Sequence, residues 1–251
     1  MPIIDLSSTI ENIAVSRVDQ VEIEYSVHAA GAGAIEGMMS VPRGLLKDGE
    51  GWAVETIRRL STHGCTHVDA PWHYNSTIRG KRAQTIDELP LEWFFSDGVK
   101  LDMRHKDDGD PMTAADAQAA LEGIGYSLKP LDIVLVQCGC DRYYGQADYM
   151  AHGCGATAEA TRWLYDQGVR VMGIDAWGWD RPLHLEAQEA IEKNASGIFW
   201  AAHQADLDYS QIERLVNLDA LPPTGFKVAC FPLKIKGASA APARVVAILK
   251  D

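Results

Sequence analysis

The sequence of 251 residues lacks the features that define several large classes of protein. It has no apolar run of about 18 residues or more, so we predict no transmembrane helix. It does not open with a basic run followed by an apolar segment, so we predict no secretory signal and a cytoplasmic protein. Basic residues are outnumbered, with 23 Lys and Arg against 35 Asp and Glu and a net charge of −12. This charge disfavours partners such as nucleic acid or an anionic membrane.

Cysteine is scarce and irregularly spaced. The five cysteines are an odd number and contain no C-x-x-C pair: Cys65, Cys138, Cys140, Cys154 and Cys230. This count and spacing disfavour a disulfide framework and a zinc ribbon. We expect reduced thiols, most of them buried, as free cysteine usually is.

Motifs for nucleotide binding and for a nucleophilic serine are missing as well. No G-x-G-x-x-G follows a predicted strand, and no G-x-x-x-x-G-K-[ST] occurs. The G-x-S-x-G turn that exposes a catalytic serine does not occur either. The sequence therefore disfavours a doubly wound nucleotide-binding fold and a serine hydrolase.

The residues that are present predict a globular α/β protein. Hydrophobic residues make up 47% of the chain and charged residues 23%, which is typical of a globular domain. No internal repeat or linker divides the sequence, so we predict a single domain over residues 1–251. Strand and helix signals alternate in the second half, and strands lie near both ends of the chain. We therefore predict a mixed sheet or partial β-barrel with flanking helices.

Periodicity and helix-end signals give the individual elements. Alternating or continuous apolar residues predict strands at residues 3–6, 21–27, 53–60, 131–138, 169–174, 227–235 and 244–249. Helices are predicted at residues 113–123, 157–167 and 182–193. Thr113 and Asp116 have the spacing of a capping box, and Gly168 follows the second helix at a position typical of a helix end.

One segment concentrates side chains that bind metal ions. Residues 61–74 read STHGCTHVDAPWHY and contain His63, His67, Asp69 and His73. The offsets between these residues are all even, so an extended backbone directs all four side chains to one face, whereas a helix scatters them. Imidazole nitrogens and carboxylate oxygens are ligands that suit Zn²⁺ and Mn²⁺. The segment therefore predicts a site for one of these ions.

The spacing also sets a condition on the backbone. Four extended residues span about 13 Å, near the limit at which His63 and His67 can share one ion. We therefore expect a bend between them, for which Gly64 provides the freedom. His73 lies beyond the turn at Pro71, and we expect it beside the metal as a proton donor or acceptor, with direct ligation as the second interpretation.

The same residues resemble the signature of a known family. The pattern H-x-G-T-H-x-D-x-P-x-H belongs to the metal-dependent cyclase/hydrolase family, which includes bacterial kynurenine formamidases and isatin hydrolases. Six residues match it: His63, Thr66, His67, Asp69, Pro71 and His73. Cys65 occupies the position of the signature glycine, and Gly64 precedes it. Residues 173–182 (GIDAWGWDRP) and 213–218 (ERLVNL) are similar to two further stretches of the family.

The resemblance implies a swivelling β/β/α-like fold, a homo-oligomer such as a dimer or tetramer, and a larger site. It implies that a His and a Glu from the second half of the chain join the site, and by position these are His203 and Glu213. His63, His67 and Asp69 would then hold one ion. Asp69, His203 and Glu213 are available to a second ion, which the sequence permits but does not require. With a single ion, His203 and Glu213 would orient water or substrate as part of the catalytic machinery.

These residues indicate a hydrolase that uses metal-activated water. A coordinated hydroxide attacks a carbonyl, and His73 is expected to protonate the departing nitrogen. Three tryptophans beside the motif residues are candidates for binding a flat substrate: Trp72, Trp177 and Trp179. The resemblance implies a non-peptide C–N bond as the target, in an aryl formamide or a cyclic amide such as N-formylkynurenine or isatin.

Two alternative functions remain open from the sequence. The first is a lactone or ester hydrolase or a cyclase on the same metal, since hydroxide attacks either kind of carbonyl. The second is a metal-binding or small-molecule-binding protein without turnover. Asp175 and Asp180 are expected to orient substrate, or to cap turns and pair with Arg181, without a catalytic role.

Overall fold

The computed structural model describes residues 1–12 and 20–250. Contacts within the chain distinguish two units: unit 1 comprises Met1–Thr9 and Thr62–Asp251, and unit 2 comprises Ile10–Ser61. Among the described residues, no helix has both the length and the apolar character needed to cross a membrane. All six residues predicted to bind metal or transfer protons belong to unit 1.

Unit 1 is built on a mixed sheet of nine strands. Their order across the sheet is β1 (Ile3–Asp5), β13 (Val246–Leu249), β11 (Phe226–Ala229), β7 (Phe95–Asp102), β8 (Ile133–Gln137), β9 (Val171–Ile174), β10 (Ser210–Glu213), β4 (His67–Asp69) and β12 (Ala240–Pro242). The four neighbours β7, β8, β9 and β10 are parallel, and the remaining pairs are antiparallel. A separate ribbon pairs β5 (Thr77–Ile78) with β6 (Lys81–Arg82). The α/β fold with a mixed sheet confirms the predicted fold class.

The central strands separate two hydrophobic clusters because side chains alternate across a sheet. On β8, Ile133 and Leu135 pack in one cluster, while Val134 and Val136 pack in the other. Every residue of β8 is buried, as expected of a parallel strand that is covered on both faces. This two-sided burial explains why the strand reads as a continuous apolar run in the sequence.

Four helices accompany this sheet in unit 1: α2 (Pro71–Tyr74), α3 (Ala114–Gly123), α4 (Ala158–Asp166) and α5 (Leu183–Lys193). The predicted capping box at the start of α3 is present, because the backbone N–H of Asp116 donates to Thr113 Oγ1 at 3.2 Å and Thr113 N–H donates to Asp116 Oδ2 at 2.8 Å. Gly168 has φ +94° just after α4, which confirms its predicted place at the helix end.

Unit 2 pairs the antiparallel strands β2 (Glu22–Ser26) and β3 (Val54–Arg59), with the helix α1 (His28–Met39) between them in sequence. Helix α1 was not predicted, because its three glycines lower the helix propensity of the segment. Gly31 has a packing role that propensity does not show. A Cβ at this position would lie 1.8 Å from the backbone oxygen of Trp52, so only glycine permits this close approach.

One predicted strand is wrong over six of its nine residues. The strand predicted at residues 227–235 ends at Ala229, where its partner β7 also begins, since Ala229 is opposite Phe95. Beyond this point Pro232 has no backbone N–H to donate to a ladder. Strands β7, β10 and β12 were not predicted, because they are short or interrupted by glycine, charged residues and proline.

Candidate active site

Strand β4 carries two of the predicted ligands into the interior. All three of its residues are fully buried, and Val68 packs in a hydrophobic cluster. Because side chains alternate, His67 and Asp69 face the other side of the strand. His67 Nδ1–H donates to the carbonyl oxygen of Cys65 at 2.6 Å. This hydrogen bond fixes the tautomer and directs Nε2 of His67 toward Asp69 Oδ1, 3.3 Å away.

The backbone turns at residues 62–66, which confirms the bend predicted between His63 and His67. Thr66 fixes the end of this turn: its hydroxyl donates to the carbonyl oxygen of Arg214 at 2.6 Å and accepts from the N–H of Ser8 at 2.8 Å. The turn brings His63 Nε2 to 3.2 Å from Asp69 Oδ1, the same oxygen that faces His67. Both imidazoles therefore converge on one carboxylate oxygen.

Strand β10 places Glu213 beside this group. Strands β10 and β4 are antiparallel with Glu213 opposite His67, and Glu213 Oε2 lies 3.5 Å from His67 Nε2. The other oxygen, Oε1, lies 3.4 Å from His203 Nε2 and accepts the backbone N–H of Trp179 at 2.9 Å. The carboxylate of Glu213 therefore stands between two imidazoles.

His203 is held in place by Asp180. The carboxylate of Asp180 accepts the backbone N–H of Ala202 at 2.7 Å and that of His203 at 3.0 Å. It also accepts a hydrogen bond from His203 Nδ1–H. With Nδ1 engaged in this way, the Nε2 atom of His203 points to Glu213.

His73 lies on the short helix α2, which begins at Pro71. Its ring centroid lies 4.2 Å from that of His63 and 5.8 Å from that of His203. Burial, together with the charges of His63 and His203, lowers the pKa of His73 to about 4 against the attraction of Asp69. In the metal-free site, His73 is therefore a neutral imidazole at neutral pH.

The buried carboxylates and imidazoles perturb one another strongly. Burial alone would lower the pKa values of His67 and His203, but Asp69 and Glu213 raise that of His67 to about 9, and Asp180 and Glu213 raise that of His203 to about 10. Burial and Asp69 would raise the pKa of Glu213, yet its contacts with the two imidazoles lower it to about 2. Without a metal ion, His67 and His203 are therefore protonated at neutral pH and lie next to the ionised carboxylate of Glu213.

Asp69 carries the main argument that this network is a metal site. Its carboxylate is fully buried, and neither oxygen receives a hydrogen bond of good geometry from the described residues. The partners that this carboxylate does have are the imidazoles of His63 and His67, 3.2 and 3.3 Å from Oδ1, and imidazoles are themselves metal ligands. The described residues form two groups with ligand atoms within 4.8 Å of one another: His63, Asp69 and His73, and His67, Asp69 and Glu213. Asp69 belongs to both groups, and this donor set suits a divalent cation.

Comparison with known proteins agrees with the geometry. The model of the Cyclase family matches residues 4–181, which is more than half of the chain. The chain belongs to the Cyclase family. The match includes the whole of the segment from His63 to His73 and ends at Arg181, just before helix α5.

Related proteins cover most of the chain. A kynurenine formamidase from Salinibacter ruber is 28% identical in an alignment of 209 residues that covers 77% of this chain and 78% of that protein. The structure of isatin hydrolase A from Labrenzia aggregata, bound to benzyl benzoate, has a TM-score of 0.72 at 23% identity and covers 100% of this chain and 94% of its own. A predicted metal-dependent hydrolase from Bacillus stearothermophilus has a TM-score of 0.62 at 20% identity, covering 99% and 98%. The two structural likenesses show a shared fold.

The structure brings together all six predicted ligand and proton-transfer residues of this Cyclase family member. His63 and His67 both face Asp69 Oδ1, and their sharing of one ion stays a prediction. The ring of His73 lies beside that of His63, and Glu213 lies beside His67. The turn predicted at Pro71 is present, because helix α2 begins at this residue.

Two expectations about the surroundings need correction. Trp179 was a candidate for substrate binding, but its side chain is completely buried in the core and its Nε1–H donates to Thr161 Oγ1 at 2.9 Å. Only its backbone N–H reaches the site, at Glu213. Asp180 was expected to orient substrate, or to cap a turn and pair with Arg181. Its carboxylate instead holds His203, while Arg181 pairs with Glu189.

An aromatic residue that we did not predict lies against the site. The ring of Trp200 stacks on His203 at 4.5 Å between centroids and meets His73 edge-on at 5.1 Å. Its backbone φ of +62° is rare for a tryptophan and turns the chain just before His203. The sequence signal was the spacing of three residues between Trp200 and His203. Of the remaining candidates, Trp72 is exposed and Trp177 is half-buried under the guanidinium of Arg214, 4.9 Å from its ring centroid.

The hydrogen bond between Asp180 and His203 makes a testable prediction. An Asp180→Asn variant loses the charge that orients His203, so we expect metal affinity to fall by about 10- to 100-fold in a competition titration against a chelator. Asp175→Asn is the matched control, because Asp175 is buried in the same loop but accepts the backbone N–H groups of Cys138 and Gly139. Equal metal affinity in Asp180→Asn and wild type would show that Asp180 only fixes the backbone.

Proposed function

We propose that the protein is a metal-dependent hydrolase that cleaves a non-peptide amide C–N bond. The observation that carries the proposal is the buried Asp69 carboxylate, which faces two imidazoles and has the neutral imidazole of His73 close by. Membership of the Cyclase family supports it, as does the relative named a kynurenine formamidase. We propose an aryl formamide or a cyclic amide as the substrate.

The residues that would hold the ion are His63, His67, Asp69, His203 and Glu213. Their imidazole nitrogens and carboxylate oxygens suit Zn²⁺ or Mn²⁺, and the position of Asp69 in both ligand groups permits one ion or two. When bound, such a cation supplies Lewis acidity toward a carbonyl and lowers the pKa of water.

The other residues of the site bind and orient substrate or move protons. A neutral imidazole accepts a proton at its unprotonated ring nitrogen, so His73 is suited to take a proton from attacking water. The same nitrogen can then return the proton to the departing amide nitrogen, which is a poor leaving group without it. Trp200 and the partly exposed rings of Trp72 and Trp177 offer flat apolar surfaces for an aromatic substrate.

The decisive experiment measures metal content and hydrolysis together. Purified protein is analysed by mass spectrometry for bound metals and assayed with N-formylkynurenine, isatin and an aryl lactone, before and after chelation and after readdition of Zn²⁺ or Mn²⁺. We expect bound metal, hydrolysis of at least one amide, and a loss of about 100-fold or more on chelation that either ion reverses. Turnover of the lactone alone would favour an ester or lactone hydrolase. Bound metal without turnover of any substrate would favour a binding protein.

We also propose that the protein is a homo-oligomer. Unit 2 exposes many large apolar side chains: Tyr25, Val27, Met38, Met39, Leu45, Trp52, Val54 and Ile57. A two-stranded ribbon such as β2–β3 has little stability on its own, so these side chains favour cover by a second copy of the chain. Light scattering should give a mass of at least twice 27.5 kDa that falls in Ile57→Glu. The control Leu91→Glu should not change the mass, because Leu91 is an exposed apolar residue of unit 1. A 27.5 kDa species at all concentrations would contradict the proposal.

A further inference from the structure

Two cysteine side chains of unit 1 are in direct contact outside the candidate metal site. The Sγ atoms of Cys138 and Cys154 are 3.1 Å apart, and both cysteines are free. A disulfide has a sulfur–sulfur distance of about 2.05 Å, so the two sulfurs need to approach by only about 1 Å to form a bond. The other thiols have different neighbours: Cys65 Sγ faces the carbonyl oxygen of Thr66, and Cys230 Sγ faces that of Phe94.

The backbone on both sides holds this contact in place. Beside the first cysteine, the N–H groups of Cys138 and Gly139 donate to the two oxygens of the buried Asp175 at 2.6 and 2.8 Å. Beside the second, the N–H of Gly153 donates to Asp108 Oδ1 at 2.7 Å. The backbone N–H of Ala156 donates to the carbonyl oxygen of Trp179 at 2.8 Å. The proximity of the sulfurs is therefore built into the fold and does not depend on the rotamer of a flexible surface side chain.

We propose that Cys138 and Cys154 are a site of reversible oxidation that closes to an intramolecular disulfide, with a peroxide as the oxidant. Cys138 is half-buried and Cys154 is buried, so we assign the first attack by peroxide to Cys138. The site lies at the end of strand β8 and in the segment before helix α4. The proposal is independent of the proposed hydrolase function, because it concerns neither the metal ligands nor His73.

The chemistry balances with hydrogen peroxide as the only co-reactant. The Cys138 thiolate attacks one peroxide oxygen and the O–O bond breaks, giving a sulfenic acid and a hydroxide that takes up a proton to become water. The sulfur of Cys154 then attacks the sulfur of Cys138, the S–O bond breaks, and a second water leaves with the proton of Cys154. Two thiols lose two electrons and two protons in total, and one peroxide is reduced to two waters.

The surroundings predict that this oxidation is slow at neutral pH. The contact with the Cys154 thiol, and then burial, raise the pKa of Cys138 well above its usual value. Because the thiolate is the nucleophile, the rate of oxidation should increase as the pH rises from 7 to about 9. We therefore expect the two thiols to stay reduced at low peroxide concentration and to form the disulfide during prolonged exposure to peroxide.

The test is a disulfide map of the full-length protein. The protein is treated with hydrogen peroxide at about pH 8.5, where free thiols begin to ionise, then alkylated and digested with trypsin without reduction. Trypsin cuts after Arg142, between the two cysteines, so the disulfide joins the peptide that ends at Arg142 to the peptide Tyr143–Arg162. We expect this joined species, which disappears on reduction with dithiothreitol. Alkylation of all five cysteines after prolonged treatment would overturn the proposal.

Serine variants identify the partners, because Cys138 and Cys140 share one tryptic peptide. Cys138→Ser and Cys154→Ser should abolish the joined species, whereas Cys140→Ser and the buried control Cys230→Ser should retain it. A joined species that persists in Cys138→Ser would show that Cys140 is the partner and would overturn the assignment. The disulfide closes a loop of 16 residues (154 − 138), so the oxidised wild type should melt about 6 to 12 °C higher than the reduced protein. Peroxide should not raise the melting temperature of Cys154→Ser.

Discussion

An Asp69→Asn variant is expected to lose both its bound metal and its hydrolytic activity, the latter by about 1,000-fold or more. Asp69 is the only residue that belongs to both ligand groups of the described part of the chain, and its Oδ1 atom faces His63 at 3.2 Å and His67 at 3.3 Å. An amide has nearly the same shape but no charge to hold a divalent cation. A metal ion contributes several kcal/mol of transition-state stabilisation, and each 1.4 kcal/mol is worth a factor of ten in rate.

The matched control for this variant is Asp132→Asn. Asp132 is as deeply buried as Asp69 in unit 1, but its carboxylate accepts hydrogen bonds from Tyr126 and the backbone N–H of Lys129, next to strand β8. This variant should keep the wild-type metal content, measured by mass spectrometry on folded protein, and the wild-type rate. If Asp69→Asn also retained stoichiometric metal, the assignment of the site would be wrong.

A His73→Ala variant should keep its metal and lose about 100- to 10,000-fold in kcat, the usual contribution of a general acid or base. Its ring lies beside His63 and His203, and burial lowers its pKa to about 4, so it is a neutral proton acceptor at neutral pH. The loss should be smaller for an ester with a good leaving group, because such a group departs without protonation. This comparison separates proton transfer from a general disturbance of the site.

The matched control for His73→Ala is His184→Ala, an exposed histidine on helix α5. It should leave kcat and metal content unchanged. Loss of metal from His73→Ala, at the level seen in Asp69→Asn, would establish His73 as a ligand in the group with His63 and Asp69. Full activity with full metal content would remove the proton-transfer role.

The first half of the site was predictable because its geometry is local. The even spacing of His63, His67 and Asp69 requires an extended backbone, and the distance between the two histidines requires a bend. The structure has both features: a turn at residues 62–66 and strand β4. Local rules suffice for the part of the site that is formed by the seven consecutive residues 63–69.

The second half was not predictable from local rules. Glu213 lies beside His67 because strand β10 pairs with strand β4. The pattern of apolar and polar residues in the sequence does not show which strands pair. His203 and Glu213 were identified through the family resemblance. The role of Asp180 was missed because a hydrogen bond across 23 residues leaves no pattern in the sequence.

The pairing of β4 with β10 also has a thermodynamic consequence. A cation held by His67 and Glu213 would join points that are 146 residues apart along the chain (213 − 67). The unfolded chain has no preformed metal site, so ion binding is linked to folding. A ligand at about 100 times its dissociation constant adds about 2.7 kcal/mol to the free energy of unfolding. A bound ion would therefore stabilise the folded protein by connecting two distant parts of the chain, in addition to its part in catalysis.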